Sequence, residues 1–380
     1  MAIDNKDKKV LNVPLLRFPE FSGEWEKCTI QDYGEVVTGN TPPTNQAEYY
    51  NNGSYLWASP ADLGINKYIS DTKTKLSLSG FKKARNIPKG SVLVTCIGST
   101  IGKMGMATEN MSSNQQINSI VVNGKSNNDF VYYAICRAFP HYLSQVGVQA
   151  VPILSKSNFE KLSNYTTNRE EQDKIGYFLN LLDERIAIQN KIIEKLQSLI
   201  KGIRHKLFES INGGVTTLSE IANIYQPQTI SSTELTECGY NVYGANGIIG
   251  KYHSYNHENE QVCITCRGNT CGTVNYTLPK SWITGNAMVI NSDDYSSIIN
   301  KRYLYHYLCS MNFSSIISGS GQPQIVRSPL EKLRIVLPTM KTQQNVAHYL
   351  DSILCKIRTE EAIVTLLVKQ KQFLLRQMFI

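Results

Sequence analysis

Two stretches of roughly 40 residues carry apolar side chains at alternating steps of four and three, and this spacing constrains the chain more than any other feature. In the first stretch Ile175, Leu179, Leu182, Ile186, Gln189, Ile193 and Leu196 follow one another and continue through Ile200, Ile203 and Leu207. In the second, Val346, Leu350, Ile353, Ile357, Glu360, Val364 and Leu367 take the same places, followed by Lys371, Leu374 and Met378. A seam of this period belongs to a left-handed coiled coil. Neither stretch contains proline, and Gly176 and Gly202 are the weakest helix formers of the first. Each helix would be about 60 Å long.

A lone amphipathic helix has nothing to bury its seam against, so the two seams are expected to cover each other. Antiparallel packing relates the two halves of the chain by a pseudo-two-fold axis. Parallel packing stays open, because the joint near Asn212-Gly213-Gly214 suits either course. Gln189 and Glu360 form a polar layer near the middle of the seam, expected either to fix register at some cost in stability or to touch solvent or a partner. Register lost in Gln189→Leu plus Glu360→Leu supports the first expectation, and an unchanged register refutes it.

The helices belong to a longer repeat of about 170 residues. Val92-Leu93-Val94-Thr95-Cys96-Ile97-Gly98-Ser99-Thr100-Ile101-Gly102 aligns with Val262-Cys263-Ile264-Thr265-Cys266-Arg267-Gly268-Asn269-Thr270-Cys271-Gly272. Each block reads as a buried strand entering a tight glycine turn. The same offset, within one residue, carries Pro152 to Pro323, Ser157 to Ser328 and Glu160-Lys161-Leu162 to Glu331-Lys332-Leu333. The spacing predicts a first globular domain over 1–167, a first helix over 168–212, a second domain over 213–339 and a second helix over 340–380. Both globular regions are rich in Gly, Asn, Ser, Thr and Tyr with short β-like runs, hence mixed α/β with exposed loops. The first is longer by about 18 residues before the shared strand block, and the loop residues differ almost throughout. A repeated scaffold with a diverged surface suits two different half-sites along a duplex, about one helical turn or more apart.

A net charge of +8 and a pI near 8.9 favour a polyanionic partner without proving one. The polar opening MAIDNKDKK is unlike a signal peptide. No apolar run nears the ~18 residues that cross a bilayer. The expectation is a soluble, cytoplasmic protein with no membrane partner. Nine scattered cysteines read as reduced and mostly buried.

Several segments resemble the specificity subunits of type I restriction-modification systems. They are Leu16-Arg17-Phe18-Pro19-Glu20-Phe21-Ser22-Gly23-Glu24-Trp25, Thr38-Gly39-Asn40-Thr41-Pro42, Tyr55-Leu56-Trp57-Ala58-Ser59 and Asp62-Leu63. In the second half they are Tyr243-Gly244-Ala245-Asn246-Gly247-Ile248-Ile249-Gly250-Lys251-Tyr252 and Ser318-Gly319-Ser320-Gly321-Gln322-Pro323-Gln324. The helices begin like the family's spacers at Glu171-Gln172 and Gln343-Gln344, and end alike at Ile203–Phe208 and Leu374–Phe379. The resemblance implies an α+β fold: two target-recognition domains separated by two long helices in an antiparallel coiled coil. It implies binding of a bipartite, asymmetric double-stranded DNA target and docking of two methyltransferase subunits. Nuclease-translocase (restriction) subunits would join them. S-adenosylmethionine, ATP and magnesium would belong to those partners, not to this chain, and the methyltransferase would flip an adenine out of the stack to methylate it.

The chain's own motifs agree with a non-catalytic role. Its only Pro-Pro pair is Thr41-Pro42-Pro43-Thr44, unlike an Asn-Pro-Pro-Phe methyltransferase motif. Gly98-Ser99-Thr100-Ile101-Gly102-Lys103-Met104 is one residue short of a phosphate loop and lacks the Ser or Thr after lysine. Cys263 and Cys266, with Cys271, His253 and His257 nearby, are set against a zinc site by their place in a strand, where an odd separation points to opposite faces. Base edges are read by Arg, Lys, Asn, Gln, Ser and Thr on projecting loops. The candidates are Thr38, Thr41, Ser99, Thr100, Lys103, Gln115 and Gln116 in the first domain, and Asn246, Lys251, Arg267, Asn269, Ser320, Gln322 and Gln324 in the second. Each has ordinary loop hydrogen bonding or phosphate contact as its plainer role. Arg267 is the sharpest, because its partner position holds Ile97. The competing readings are a stand-alone sequence-specific DNA-binding protein, a coiled-coil scaffold without nucleic acid, and a hydrolase using the cysteine–histidine cluster.

Overall fold

The structure, a computed structural model, describes residues 11–145, 152–245, 247–319 and 321–380. It divides into two compact units, one formed by the chain up to residue 189 together with 363–380, the other by 190–362. No described helix is long and apolar enough to cross a membrane.

In the first unit, strands Gly34–Thr38, Ile117–Val122, Val92–Thr95, Met104–Ala107 and Tyr68–Ile69 form a five-stranded sheet in that order. Thr74–Leu76, Tyr55–Ala58 and Ser112–Ser113 form a three-stranded sheet. The run Val92-Leu93-Val94 is apolar throughout because both faces are covered. Val92 and Val94 enter one core cluster and Leu93 another. Glu26–Thr29 pairs antiparallel with Ser163–Thr166 and brings the two ends of the globular region together.

The second unit repeats this plan. Asn223–Tyr225, Ala287–Asn291, Val262–Thr265 and Val274–Tyr276 form a four-stranded sheet, and Gly247–Tyr252, Tyr240–Gly244 and Trp282–Ile283 a three-stranded one. Gly214–Thr217 pairs with Arg334–Leu337 as the closing ribbon.

The long helices run over Arg169–Ser210 and Met340–Met378. In the first unit the start of the first helix meets the end of the second: Asp183 Oδ1 lies 2.5 Å from Lys371 Nζ, and Ile175, Leu179, Leu374, Met378 and Phe379 share one core with Trp25 and Phe130. In the second unit the end of the first helix meets the start of the second, with Ile200 and Arg204 across a groove from Leu354 and Ile357. The helices are therefore antiparallel. Along the seam Ile175, Leu179, Ile193, Leu350, Ile357, Glu360 and Leu367 are buried, and Leu182, Ile186, Gln189, Leu196, Val346, Ile353 and Val364 are half-buried. Glu360 is ion-paired to Lys356 on its own helix.

One glutamine anchors each domain to its helix. Gln172 Oε1 accepts from the Asn127 amide at 2.9 Å while its Nε2 donates to Thr167 O. Gln343 repeats both bonds with Asn300 and Pro338. Asn127 and Asn300 in turn cap the first turn of a helix, accepting from Phe130 N and Tyr303 N. These capped helices, Asn128–Gln145 and Lys301–Ser310, lie between sheet and long helices.

Beyond the shared anchor the polar contacts diverge. In the first unit Lys67, almost fully buried, donates to Asp129, Tyr133 and Asn180 at 2.6, 3.0 and 3.0 Å, and Tyr133 donates to Asp183 at 2.6 Å. In the second unit Arg204 donates to His306 Nδ1 at 2.9 Å, so the imidazole proton sits on Nε2 and is donated to Asp351 at 2.9 Å. Arg302 forms an ion pair with the same carboxylate and stacks over Tyr276. Burial first of all holds His306 below its ordinary 6.5, and Arg204 and Arg302 push the same way against Asp351. Burial opposes ionisation of Asp351, yet hydrogen bonds from His306 and Arg302 outweigh it and hold the carboxyl well below its ordinary 3.8.

Both groups thus bind protons less readily in the folded than in the unfolded chain. Their contribution is complete above about pH 6.5 and is lost as pH falls, first through the histidine and then through the carboxyl. The thermal midpoint should drop between about pH 7 and 5, and His306→Gln should flatten that slope; an unaltered slope would place the effect elsewhere. At neutral pH Asp351→Ala should cost about 2 kcal/mol by leaving the His306 N–H and the Arg302 guanidinium without their acceptor.

The two weak helix formers of the first long helix have different reasons. A Cβ at Gly176 would lie 2.6 Å from Asn127 Oδ1 and 3.1 Å from Phe130 N, because the capped helix abuts the long one there. At Gly202 nothing lies within 4 Å. Gly202→Ala should raise stability by up to ~1 kcal/mol through helix propensity, whereas Gly176→Ala should lower it. Paired unfolding midpoints check both signs.

Candidate DNA interface

In each unit the shared strand ends in the same turn. Gly98 and Gly102 have φ of 96° and 91°, and Gly268 and Gly272 have 84° and 90°, left-handed conformations that favour glycine. The backbone bonds coincide at the repeat offset. Gly98 N donates to Pro152 O and Gly268 N to Pro323 O; Cys96 O accepts from Leu154 N and Cys266 O from Ile325 N; Cys96 N donates to Gln116 O and Cys266 N to Asn286 O. The amides of Gly98, Ile101, Gly102 and Lys103 all serve carbonyls of the chain itself, which holds the turn in shape. Ile97 bridges Ile153 where Arg267 bridges Gln324. A common backbone frame thus presents an aliphatic side chain in one domain and an exposed guanidinium in the other.

The first-domain candidates form one group on three neighbouring loops. Thr38 Oγ1 donates to Asn118 Oδ1, and Thr41 Oγ1 to Gln115 Oε1 at 2.6 Å. A Cβ on Gly39 would fall 2.3 Å from the carbonyls of Ser113 and Asn114, which is how closely these loops approach. Gln116 lies against Gly98 of the glycine turn. Thr41, Ser99, Lys103 and Gln115 are exposed; Thr38, Thr100 and Gln116 are half-buried.

In the second domain Arg267, Asn269, Gln322 and Gln324 are exposed on two loops joined by the 267–324 bridge. Thr265 and Thr270 both donate to Ala245 O, which ties the tip of the 240–252 hairpin to them. Lys251 is not brought into this group: it stands four residues from the hairpin turn at Gly247 and donates to Asn241 Oδ1 across the strands. Asn246 and Ser320 lie outside the described residues.

Three further residues stand at these loops. Strand pairing puts Gln226 where the first domain has Thr38, since Ile224 faces Ile290 as Val36 faces Ile120. The shared amide bond puts Asn286 in the place of Gln116. Arg85 donates to Thr38 O at 2.7 Å. Asn286 also stands at the repeat offset from Gln116, whereas strand register reveals Gln226 and loop packing reveals Arg85, which the linear alignment at one offset does not.

Four of the nine cysteines, Cys28, Cys96, Cys263 and Cys266, are buried, fewer than expected, and Cys238 and Cys355 are exposed. Cys263 and Cys266 are buried, and burial pushes the Cys263 thiol up to about 12 and raises that of Cys266, so both are protonated thiols. His257 Nε2 pairs with the Tyr225 hydroxyl. Among the described residues no three His, Cys, Asp or Glu converge on a metal position.

Known proteins with the same plan are recognisable. The model of the type I restriction modification DNA specificity domain matches residues 22–198 and again 213–367. A type I restriction enzyme MjaIX specificity subunit from Methanocaldococcus jannaschii is 30% identical over 182 residues, covering 46% of this chain and 42% of that protein. The chain thus spans less than half of that relative. A type I restriction enzyme EcoprrI specificity subunit from Escherichia coli is 23% identical over 353 residues, covering 82% and 83%. The crystal structure of a type I restriction-modification S subunit from M. genitalium superposes with a TM-score of 0.63 at 18% identity, covering 97% of this chain and 99% of that one, a likeness of fold. Two successive family matches that follow the two repeats show that the chain belongs to the type I restriction-modification DNA specificity family, the non-catalytic specificity subunits of those systems.

Proposed function

We propose that this chain reads a bipartite, asymmetric DNA target, one half-site per domain, and docks two methyltransferase subunits that methylate adenine, with restriction subunits joining the complex. The observation that carries this reading is the pair of turns at 96–103 and 266–273 with matching backbone bonds and unlike exposed side chains. A frame shared by the two repeats holds the loops, and the side chains on it supply a different donor set to each half-site. The reading side chains would be Thr41, Ser99, Thr100, Lys103, Gln115 and Gln116 with Thr38 in one domain, and Arg267, Asn269, Gln322 and Gln324 with Gln226 and Asn286 in the other. Docking is supported by large apolar side chains that stand exposed off the seam, among them Tyr177, Leu199, Tyr349 and Phe373.

Co-expression with a methyltransferase subunit, followed by sequencing of modified bases in host DNA, tests the reading. The expected product is a motif of two unlike halves around an unspecified spacer, lost on deleting either domain. No complex and no modified motif would favour a DNA-binding protein acting alone. Within the same assay Arg267→Ala should relax one half of the motif by about 1–3 kcal/mol of base discrimination, while Lys251→Ala, tied to Asn241, should leave both halves intact. Equal effects of the two would move the reading surface away from the glycine turn.

A further inference from the structure

The first domain carries a short exposed helix that the second lacks. Ile87 bridges Met111 as His257 bridges Ser281, so these positions correspond. The preceding strands end at Leu76 and Tyr252. The segment between holds residues 77–86 in the first domain and only 253–256 in the second. The longer segment contains the helix Leu78–Lys83, capped by Ser77, and its last turn and exit carry Lys82, Lys83 and Arg85. The shorter one, His253-Ser254-Tyr255-Asn256, has no lysine or arginine.

This helix adds little to the core, since Gly80 is its one buried residue. It is nevertheless held firmly. Phe81 stacks on Tyr55 with ring centroids 4.6 Å apart, Ser77 N donates to Tyr49 O, and Gly80 lies so close to Tyr49 that a Cβ would meet its carbonyl at 2.3 Å. Three bonds then fasten its exit to the candidate reading loop: Asn40 Nδ2 to Lys83 O, Arg85 N to Asn40 Oδ1, and Arg85 Nη1 to Thr38 O. Lys82, Lys83 and Arg85 are all exposed, and among the described residues none has an ion-pair partner. Three neighbouring cations repel one another and are relieved by a polyanion. Their placement beside the loop, fixed in advance, lowers the ordering cost of binding one.

We infer that Lys82, Lys83 and Arg85 form a phosphate-binding arm that grips the DNA backbone beside the half-site read by the first domain. The inference rests on the DNA-reading assignment above. Ammonium and guanidinium groups on a scaffold not shared by the second domain suit positioning by phosphates more than base reading. The charge distribution agrees. Residues 11–167 carry 14 Lys and Arg against 11 Asp and Glu, whereas residues 213–339 carry 8 against 8. The first domain therefore supplies more of the sequence-independent, salt-sensitive part of binding.

The test uses the full chain in complex with its methyltransferase subunits, a duplex carrying the motif found by host methylation, and a scrambled duplex, titrated between about 50 and 200 mM salt. Lys82→Ala/Lys83→Ala/Arg85→Ala should weaken binding to both duplexes and reduce the slope of log affinity against log salt by about 2–3, and Lys82→Ala/Lys83→Ala should leave the motif-to-scrambled ratio unchanged. Lys82→Ala/Lys83→Ala, which spares the Arg85–Thr38 contact, should reduce the slope by about 1–2, and an unchanged thermal midpoint separates this effect from misfolding. Lys82→Arg/Lys83→Arg should keep the wild-type slope. A wild-type slope in the alanine variants, with motif discrimination intact, overturns the arm alone. A lowered discrimination ratio at constant slope overturns it in favour of base reading. A wild-type complex that cannot distinguish the duplexes overturns the underlying assignment, and the arm with it.

Discussion

Neither the globular domains nor the long helices can bury their apolar surface alone, and this mutual dependence governs the structure. In the first unit Ile175 and Leu179 from one helix and Leu374, Met378 and Phe379 from the other complete the core that Trp25, Phe130 and Tyr133 begin. Removing either helix segment would open that core to water. The polar anchors at Gln172 and Gln343 then set the position of each domain along its helix, because each satisfies a backbone amide and a backbone carbonyl that burial would otherwise leave unpaired. Loop geometry at the glycine turns follows from this rigid base.

Much of this was legible in the sequence because it depends on periodicity. The heptad spacing located both helices to within a few residues, and the repeat offset located the strand and glycine turn. Lys67 was not legible: a lysine in a polar, Asn- and Ser-rich stretch gives no sign that it will be buried against Asp129 and Asn180, which are distant in sequence. Gly176 read as a weakness of the helix, whereas the close approach of a neighbouring helix cap requires it. At the reading loops, the residues after the shared strand could be matched by counting. Gln226 could not, because the insertion before the shared strand shifts the count and only strand register restores its correspondence to Thr38. Lys251 shows the converse: a basic residue in a Gly-rich segment drew notice, but hairpin register turns it toward Asn241.

The interface joins a rigid frame to variable chemistry. The turns at 96–103 and 266–273 are held by matching backbone bonds at corresponding positions, so the frame does not depend on the side chains they carry. Change at positions such as 97 and 267 therefore alters the side chains the loop presents without disturbing how the loop is held.

The polar sockets beneath the domains have a consequence for how such chains recombine. Counted from the glutamine anchors and the helix caps, Asp129 corresponds to Arg302, Tyr133 to His306 and Asn180 to Asp351. A crossover that set the first domain on the second domain's helices would put the Asp351 carboxylate where Asn180 now accepts from Lys67, so that one ammonium would serve two carboxylates. The reverse exchange would give Arg302 only the amide of Asn180, and put His306 in place of the Tyr133 hydroxyl that now serves Asp183. The anchors correspond, but the sockets hold different charges. An exchange of domains changes the charge inside each socket unless the helix turns that contain residue 180 or 351 move with the domain.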